Sequence, residues 1–230
     1  MNTFINNLLF TYLPHISFAV FWFGLITRLI LANKTVQAQS TQLLADKRIK
    51  IGSNLFHVGI IMVLFGHFTL FLPEWLYHMV MTTETKRIIA LILGSVFGTV
   101  AIIGMLILVT RRFYSPRIKY NSNFHDHFIL ILLLVEAGLG LAAIAGTAAT
   151  STEQYAELGR WAQAVITFQP DAGALLAGHA IQYKIHIVIG MLIFMIFPYT
   201  KLMHMLVYPF AYFFRSGYQL VRRRREAGEF

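Results

Sequence analysis

Five long apolar stretches constrain this chain more than any other feature; they cover residues 12–31, 51–72, 88–110, 128–149 and 185–207. A helix rising about 1.5 Å per residue needs roughly 20 apolar residues to cross about 30 Å of hydrocarbon, and each stretch meets that length. Lipid offers no water to backbone N–H and C=O groups, so a spanning segment of this kind has to be helical. Composition agrees: 57% of residues are hydrophobic, 13% are charged and the mean hydropathy is +0.63. Soluble domains carry about 25% charged residues. The expectation is an all-α integral membrane protein with five transmembrane helices in one membrane domain, residues 1–230, surrounded by the lipid bilayer.

The basic residues orient the spans. Lys34, Lys47, Arg48 and Lys50 follow the first stretch, and Arg111, Arg112, Arg117 and Lys119 follow the third. Arg215 and Arg222–Arg225 lie in a basic tail, residues 215–230. The two other connections are close to neutral: Lys86 and Arg87 stand against Glu74 and Glu84, and Arg160 and Lys184 against Glu153, Glu157 and Asp171. By the positive-inside rule the N-terminus is outside and the C-terminus is cytoplasmic, as in a multi-pass protein of the cytoplasmic (inner) membrane. The net charge of +9 is therefore assigned to topology and headgroups, with no nucleic-acid partner. The first stretch lacks a positive n-region and is too long for a typical signal-peptide core, so an uncleaved first span is expected. The connection from about residue 150 to 184 is long enough to hold a short helix near residues 153–167, followed by turn residues Pro170, Asp171 and Gly173.

No cysteine is present, which excludes thiolate-held iron–sulfur clusters and covalent c-type haem attachment on this chain. Histidine is the ligand available. Four of the nine histidines lie within spans: His57 and His67 in the second, His186 and His204 in the fifth. An ionisable group inside a membrane is a functional candidate by default, the alternative being a hydrogen bond to a neighbouring helix. The second and fifth spans run in opposite directions, so they pair His57 with His204 toward the cytoplasm and His67 with His186 toward the outside. One imidazole from each helix is the arrangement that holds a haem iron, and full axial occupation favours electron transfer over oxygen chemistry. The spacing is uneven: the interval between His57 and His67 measures about 15 Å along a helix, and that between His186 and His204 about 27 Å. Haem width, tilt and a kink at Pro198 are required to absorb the difference. Gly66 and Gly190 would let a porphyrin approach the backbone. His15, His78, His125, His127 and His179 fall near span ends or in connections, where solvated or interfacial roles are expected. Glu136 is mid-span, either protonated and hydrogen-bonded or near a haem edge.

Several segments carry a family resemblance: SNLFHVGIIMVLFGHF (53–68), LPEWLY (72–77), RRFYSPR (111–117), WAQAVITF (161–168), YKIHIVIGM (183–191), FPYTKLMH (197–204) and YQLVR (218–222). With them the chain resembles the gamma subunits of membrane-bound respiratory nitrate reductases, the NarI-type dihaem cytochromes b. The resemblance implies two haem b, with His57 and His204 on the inner one and His67 and His186 on the outer one. It also implies quinol oxidation near the outer haem, with Lys86 at the quinol site and Arg112 against a propionate; Arg111 ends the same span. Electrons would pass to an iron–sulfur beta subunit in the cytoplasm and on to a molybdenum alpha subunit, where nitrate is reduced. Two other readings compete: a dihaem cytochrome b of another quinol-linked reductase, and a transporter that relays protons through intramembrane histidines. No repeat symmetry or matched pair of broken helices favours the transporter.

Overall fold

The computed structural model describes residues 3–32 and 48–207. The basic tail, together with Lys34 and Lys47, lies outside the described residues. Chain order gives α1 (Thr3–Asn7), a π-helical turn (Leu8–Tyr12), α2 (Leu13–Ala32), α3 (Arg48–Phe68), α4 (Glu74–Tyr77), α5 (Thr83–Tyr114), α6 (Pro116–Tyr120), α7 (Phe124–Ala149), α8 (Thr152–Ile166) and α9 (Ile181–Ile196). Among the described residues, five helical segments are long and apolar enough to cross a membrane: Thr3–Leu31, Arg48–Phe71, Thr83–Tyr114, Phe124–Ala149 and Ile181–Tyr199. Large apolar side chains stay exposed on them, such as Phe23, Ile30 and Phe65, which suits lipid rather than water.

α3 packs on α5, α5 on α7, α7 on α9, and α9 on α2. Small residues set the first contact. A Cβ on Gly59 would lie 2.5 Å from the Ala101 nitrogen, and one on Gly104 would lie 2.3 Å from the Phe56 nitrogen. The two backbones therefore touch, which is how helices gain van der Waals contact where lipid removes the hydrophobic drive. α3 and α9 are not a packed pair; α3 faces α9 across His67 and His186, and faces the segment after α9 across His57 and His204.

The N-terminus, the connection after α3 and the long connection holding α8 share one end of the bundle. There Phe10, Trp161, Val165, Ala172 and Leu176 form a buried cluster. Trp161 Nε1 donates to the Phe10 carbonyl at 2.8 Å, and the Gly173 amide donates to Thr11 Oγ1 at 2.8 Å, so both bonds land on the π-helical turn. The short helix expected near residues 153–167 is α8, and a 3-10 turn at Ala172–Leu176 follows the expected turn residues. This is the capped end of the bundle.

The fifth apolar stretch is not one helix. α9 ends at Ile196, and 3-10 turns at Phe197–Tyr199 and Lys201–Met203 flank an extended Thr200 (φ −112°, ψ 176°). Pro198 breaks the helix outright, and α2 seats the break. Gly24 leaves room for Tyr199, and Arg28 Nη1 donates to the Pro198 carbonyl at 2.5 Å and to the Thr200 carbonyl at 3.3 Å. The interval from His186 to His204 therefore does not run along one helix axis.

Candidate functional site

Both expected histidine pairs form. The ring centres of His57 and His204 are 6.2 Å apart, with planes at 70°. Those of His67 and His186 are 5.9 Å apart, with planes at 46°. A metal-bound imidazole nitrogen stands about 2.0–2.1 Å from its ion and the ring centre about 1.1 Å further, so two rings on opposite sides of one metal sit about 6.3 Å apart. Both separations match that span.

The other ring nitrogens are held. His57 Nδ1 lies 2.7 Å from the Ser53 carbonyl, His67 Nδ1 2.8 Å from the Val63 carbonyl, and His204 Nδ1 2.5 Å from the Lys201 carbonyl. A carbonyl only accepts, so each Nδ1 carries the proton and each Nε2 keeps its lone pair for a metal. Metal-binding histidines are normally oriented in this way by their second nitrogen. His186 Nδ1 points to a different partner: Glu136 Oε1 on α7, at 3.0 Å. That contact has ion-pair distance without settled hydrogen-bond geometry, since His186 Nδ1 and Glu136 Oε2 both remain buried and unpaired.

The site fits a porphyrin on three counts. The rings stand at metal-bridging separation, Nε2 is the free nitrogen of at least three of them, and the helices bearing them do not close on each other. Two protein ligands suffice for such a group, because the macrocycle supplies the other four. A Cβ on Gly66 would meet nothing within 4 Å, so α3 is open beside His67. Gly190 serves differently from expectation. Its missing Cβ makes room for Glu136, whose Oε1 is 3.0 Å from that position. Gly140 on α7 does the same for the His186 ring, 3.3 Å from its own absent Cβ.

Lys86 is turned inward at the capped end, 8% exposed. Its Nζ donates to the Thr69 carbonyl at 2.8 Å and sits 3.9 Å above the Tyr77 ring centre. Thr69 is two residues beyond His67, so this ammonium is fixed beside the end of α3 instead of reaching for headgroups. A small cleft next to it is lined by Leu70, Tyr77, Tyr155, Arg160 and Gln163. Burial, with Tyr77 close by, pushes the Tyr155 phenol up to about 12, so it stays a neutral hydroxyl.

At the opposite end Arg112 Nη1 is 3.8 Å from Asp126 Oδ2, and Arg111 is buried nearby on α5. Asp126 is the residue sequence reasoning missed. It is 5% exposed, pairs with Lys201 Nζ at 2.7 Å, and closes a capping box with Asn123 at the start of α7. The Asn-x-x-Asp pattern ahead of an apolar run signalled the cap. Nothing in the sequence signalled the lysine, whose carbonyl in turn holds His204. The remaining histidines have local partners or ring contacts. His15 bonds the Val165 carbonyl and stacks on Phe168, His179 bonds the Gln154 carbonyl, and His78 bonds Thr83 Oγ1. His127 bonds the Asn123 carbonyl, and His125 lies against Phe124.

Residues 6–224 match the family model described as nitrate reductase gamma subunit. The respiratory nitrate reductase 2 gamma chain of Escherichia coli (strain K12) is 35% identical over 227 residues, 98% of this chain and 100% of that one. The respiratory nitrate reductase 1 gamma chain of the same strain is 36% identical over 96% of this chain and 99% of its own length. The nitrate reductase gamma chain of Bacillus subtilis (strain 168) is 32% identical over 95% and 99%. With the match running through all five spans and both histidine pairs, the chain belongs to the nitrate reductase gamma subunit family.

Proposed function

We propose that the chain is the membrane-anchor cytochrome b of a respiratory nitrate reductase in the inner membrane. It oxidises quinol at the outer side and delivers the electrons to a cytoplasmic iron–sulfur subunit, which serves a molybdenum subunit that reduces nitrate. The capped end is the outer end on this reading. The observation that carries the proposal is the pair of facing imidazoles at each of two depths, at metal-bridging separation. His57 and His204 would hold the inner haem b, and His67 and His186 the outer one. When bound, such groups supply one-electron carriers at two depths of a layer about 30 Å thick.

The chain's own residues do the rest. Carbonyls of Ser53, Val63 and Lys201 fix three imidazoles in the tautomer that presents Nε2. Lys86 has three N–H donors, of which one is given to the Thr69 carbonyl and another faces the Tyr77 ring. The donor left over suits a quinone or quinol oxygen close to the outer pair. Arg112, paired only loosely with Asp126, keeps donors for a propionate, which its planar fork fits.

The absorption spectrum of the purified chain, before and after adding quinol with the partner subunits present, tests this reading. The expected result is two low-spin b haems per chain, both reducible by quinol. A preparation that folds and assembles without haem bands would sink the proposal and favour an intramembrane histidine relay.

A further inference from the structure

Among the described histidine pairs, the two ends are built differently. Three of the four imidazoles turn Nδ1 onto a carbonyl three or four residues back in their own helix. His186 instead faces α7, where Glu136 Oε1 lies 3.0 Å from its Nδ1. Two glycines make this possible. Gly140 admits the imidazole ring and Gly190 admits the carboxyl, each at a position where a Cβ would press on it, at 3.3 Å and 3.0 Å. Both facing groups hold buried polar atoms with no other hydrogen-bond partner, Nδ1 on the histidine and Oε2 on the glutamate. Buried polar atoms are rarely left unpaired, and a carboxyl at this depth is costly without a purpose. With Nε2 on a metal, Nδ1 must carry its proton and donate, and the acceptor within reach is Glu136.

We infer that Glu136 is a positioning residue for the outer haem: its carboxyl accepts from His186 Nδ1, fixes the ring and lowers the reduction potential of that haem relative to the inner one. The inference rests on the haem reading above. A side-chain carboxyl oxygen accepting from Nδ1 raises the basicity of a ligating imidazole, which favours the oxidised state. The inner pair, whose described Nδ1 partners are two carbonyls and the Ser53 hydroxyl, lacks this bias.

Redox titration of the holoprotein in membranes tests the inference, following each haem separately by its optical and paramagnetic resonance signatures. Glu136→Gln is expected to shift the outer couple at least tenfold toward the reduced form, which is about 59 mV upward for one electron. The inner couple stays in place, and Glu136→Asp recovers part of the shift. Gly190→Ala, which keeps the carboxyl but pushes it aside, moves the outer couple in the same direction by less. An outer couple unmoved in Glu136→Gln, or equal movement of both couples, overturns the inference while leaving the ligation intact. If Glu136→Gln does not hold the outer haem, Gly190→Ala decides, and an unmoved outer couple there overturns it. A wild-type chain without haem would overturn the ligation reading itself, and that result appears before any variant is made.

Discussion

Lys86 and Arg112 carry similar charge to opposite fates. Lys86 is enclosed between the Thr69 carbonyl and the Tyr77 ring, whereas Arg112 reaches a carboxylate that Lys201 already holds more closely. Lys86→Ala is expected to slow quinol oxidation by tenfold or more, a loss of about 1.4 kcal/mol in transition-state binding, with both haems retained in the spectrum. Unchanged steady-state quinol kinetics would remove Lys86 from the site. Arg112→Ala is expected to alter the content or potential of the inner haem, read by redox titration, with the outer haem unaffected. Asp126→Asn weakens the bonds to Lys201 and Arg112 and is expected to cost about 1.5–3 kcal/mol, seen as a lower Tm in detergent. These residues also show what a sequence conceals. The four central histidines were legible because an ionisable side chain inside an apolar run has few reasons to exist. Lys86 was legible as a charge but not as an inward one, because its partners are a carbonyl 17 residues earlier and a ring from α4. Nothing in the sequence shows where Arg28 and Arg87 reach: Arg28 holds the break after α9, and Arg87 Nη2 donates to the carbonyls of Thr147 at 3.0 Å and Thr150 at 2.7 Å, at the end of α7.

The span positions came from hydropathy alone; the described residues hold five helices long and apolar enough to cross a membrane, and the fifth stretch breaks after Ile196. What hydropathy does not encode is which face meets which. The α3–α5 contact depends on Gly59 and Gly104, whose spacing on separate helices carries no signal before the two are brought together. Gly104→Leu is expected to prevent folding or lower Tm sharply, because the clash at 2.3 Å is with the Phe56 backbone nitrogen, which cannot rotate away. Overpacking of this kind costs about 1–3 kcal/mol or more. Gly138→Ala, which meets no protein atom within 4 Å, serves as the matched control and should leave Tm near the parent value. The end of α8 shows a local rule broken for a tertiary gain. Gln169 and Phe168 amides bond back to the carbonyls of Ala164 at 2.9 Å and Val165 at 3.2 Å, the Schellman closure, yet the left-handed position (φ 58°) holds Phe168 instead of glycine. The Phe168 ring stacks on His15 at 4.8 Å, tying α2 to the capped end, so the strain accompanies a contact that glycine would forfeit.

Across the whole molecule the two ends have different work. The capped end buries an apolar cluster and Lys86, while the opposite end gathers Arg111, Arg112, Asp126 and Lys201. If the capped end is outside, quinol oxidation there releases protons outside while electrons move inward, and charge separates without protons crossing this chain. Proteoliposomes holding the assembled complex should acidify the side facing the capped end in proportion to electrons transferred; acidification of the opposite side would reverse both orientation and site. On the proposed reading two haems lie between α3 and the fifth span as level pairs, His57 with His204 beyond the break and His67 with His186 on α9. The most direct measurement is the haem content of the four single His→Ala variants, resolved by low-temperature difference spectra. The expected result is that His57→Ala and His204→Ala lose one and the same haem, and His67→Ala and His186→Ala lose the other. Loss of the same single haem by His57→Ala and His67→Ala would contradict the pairing.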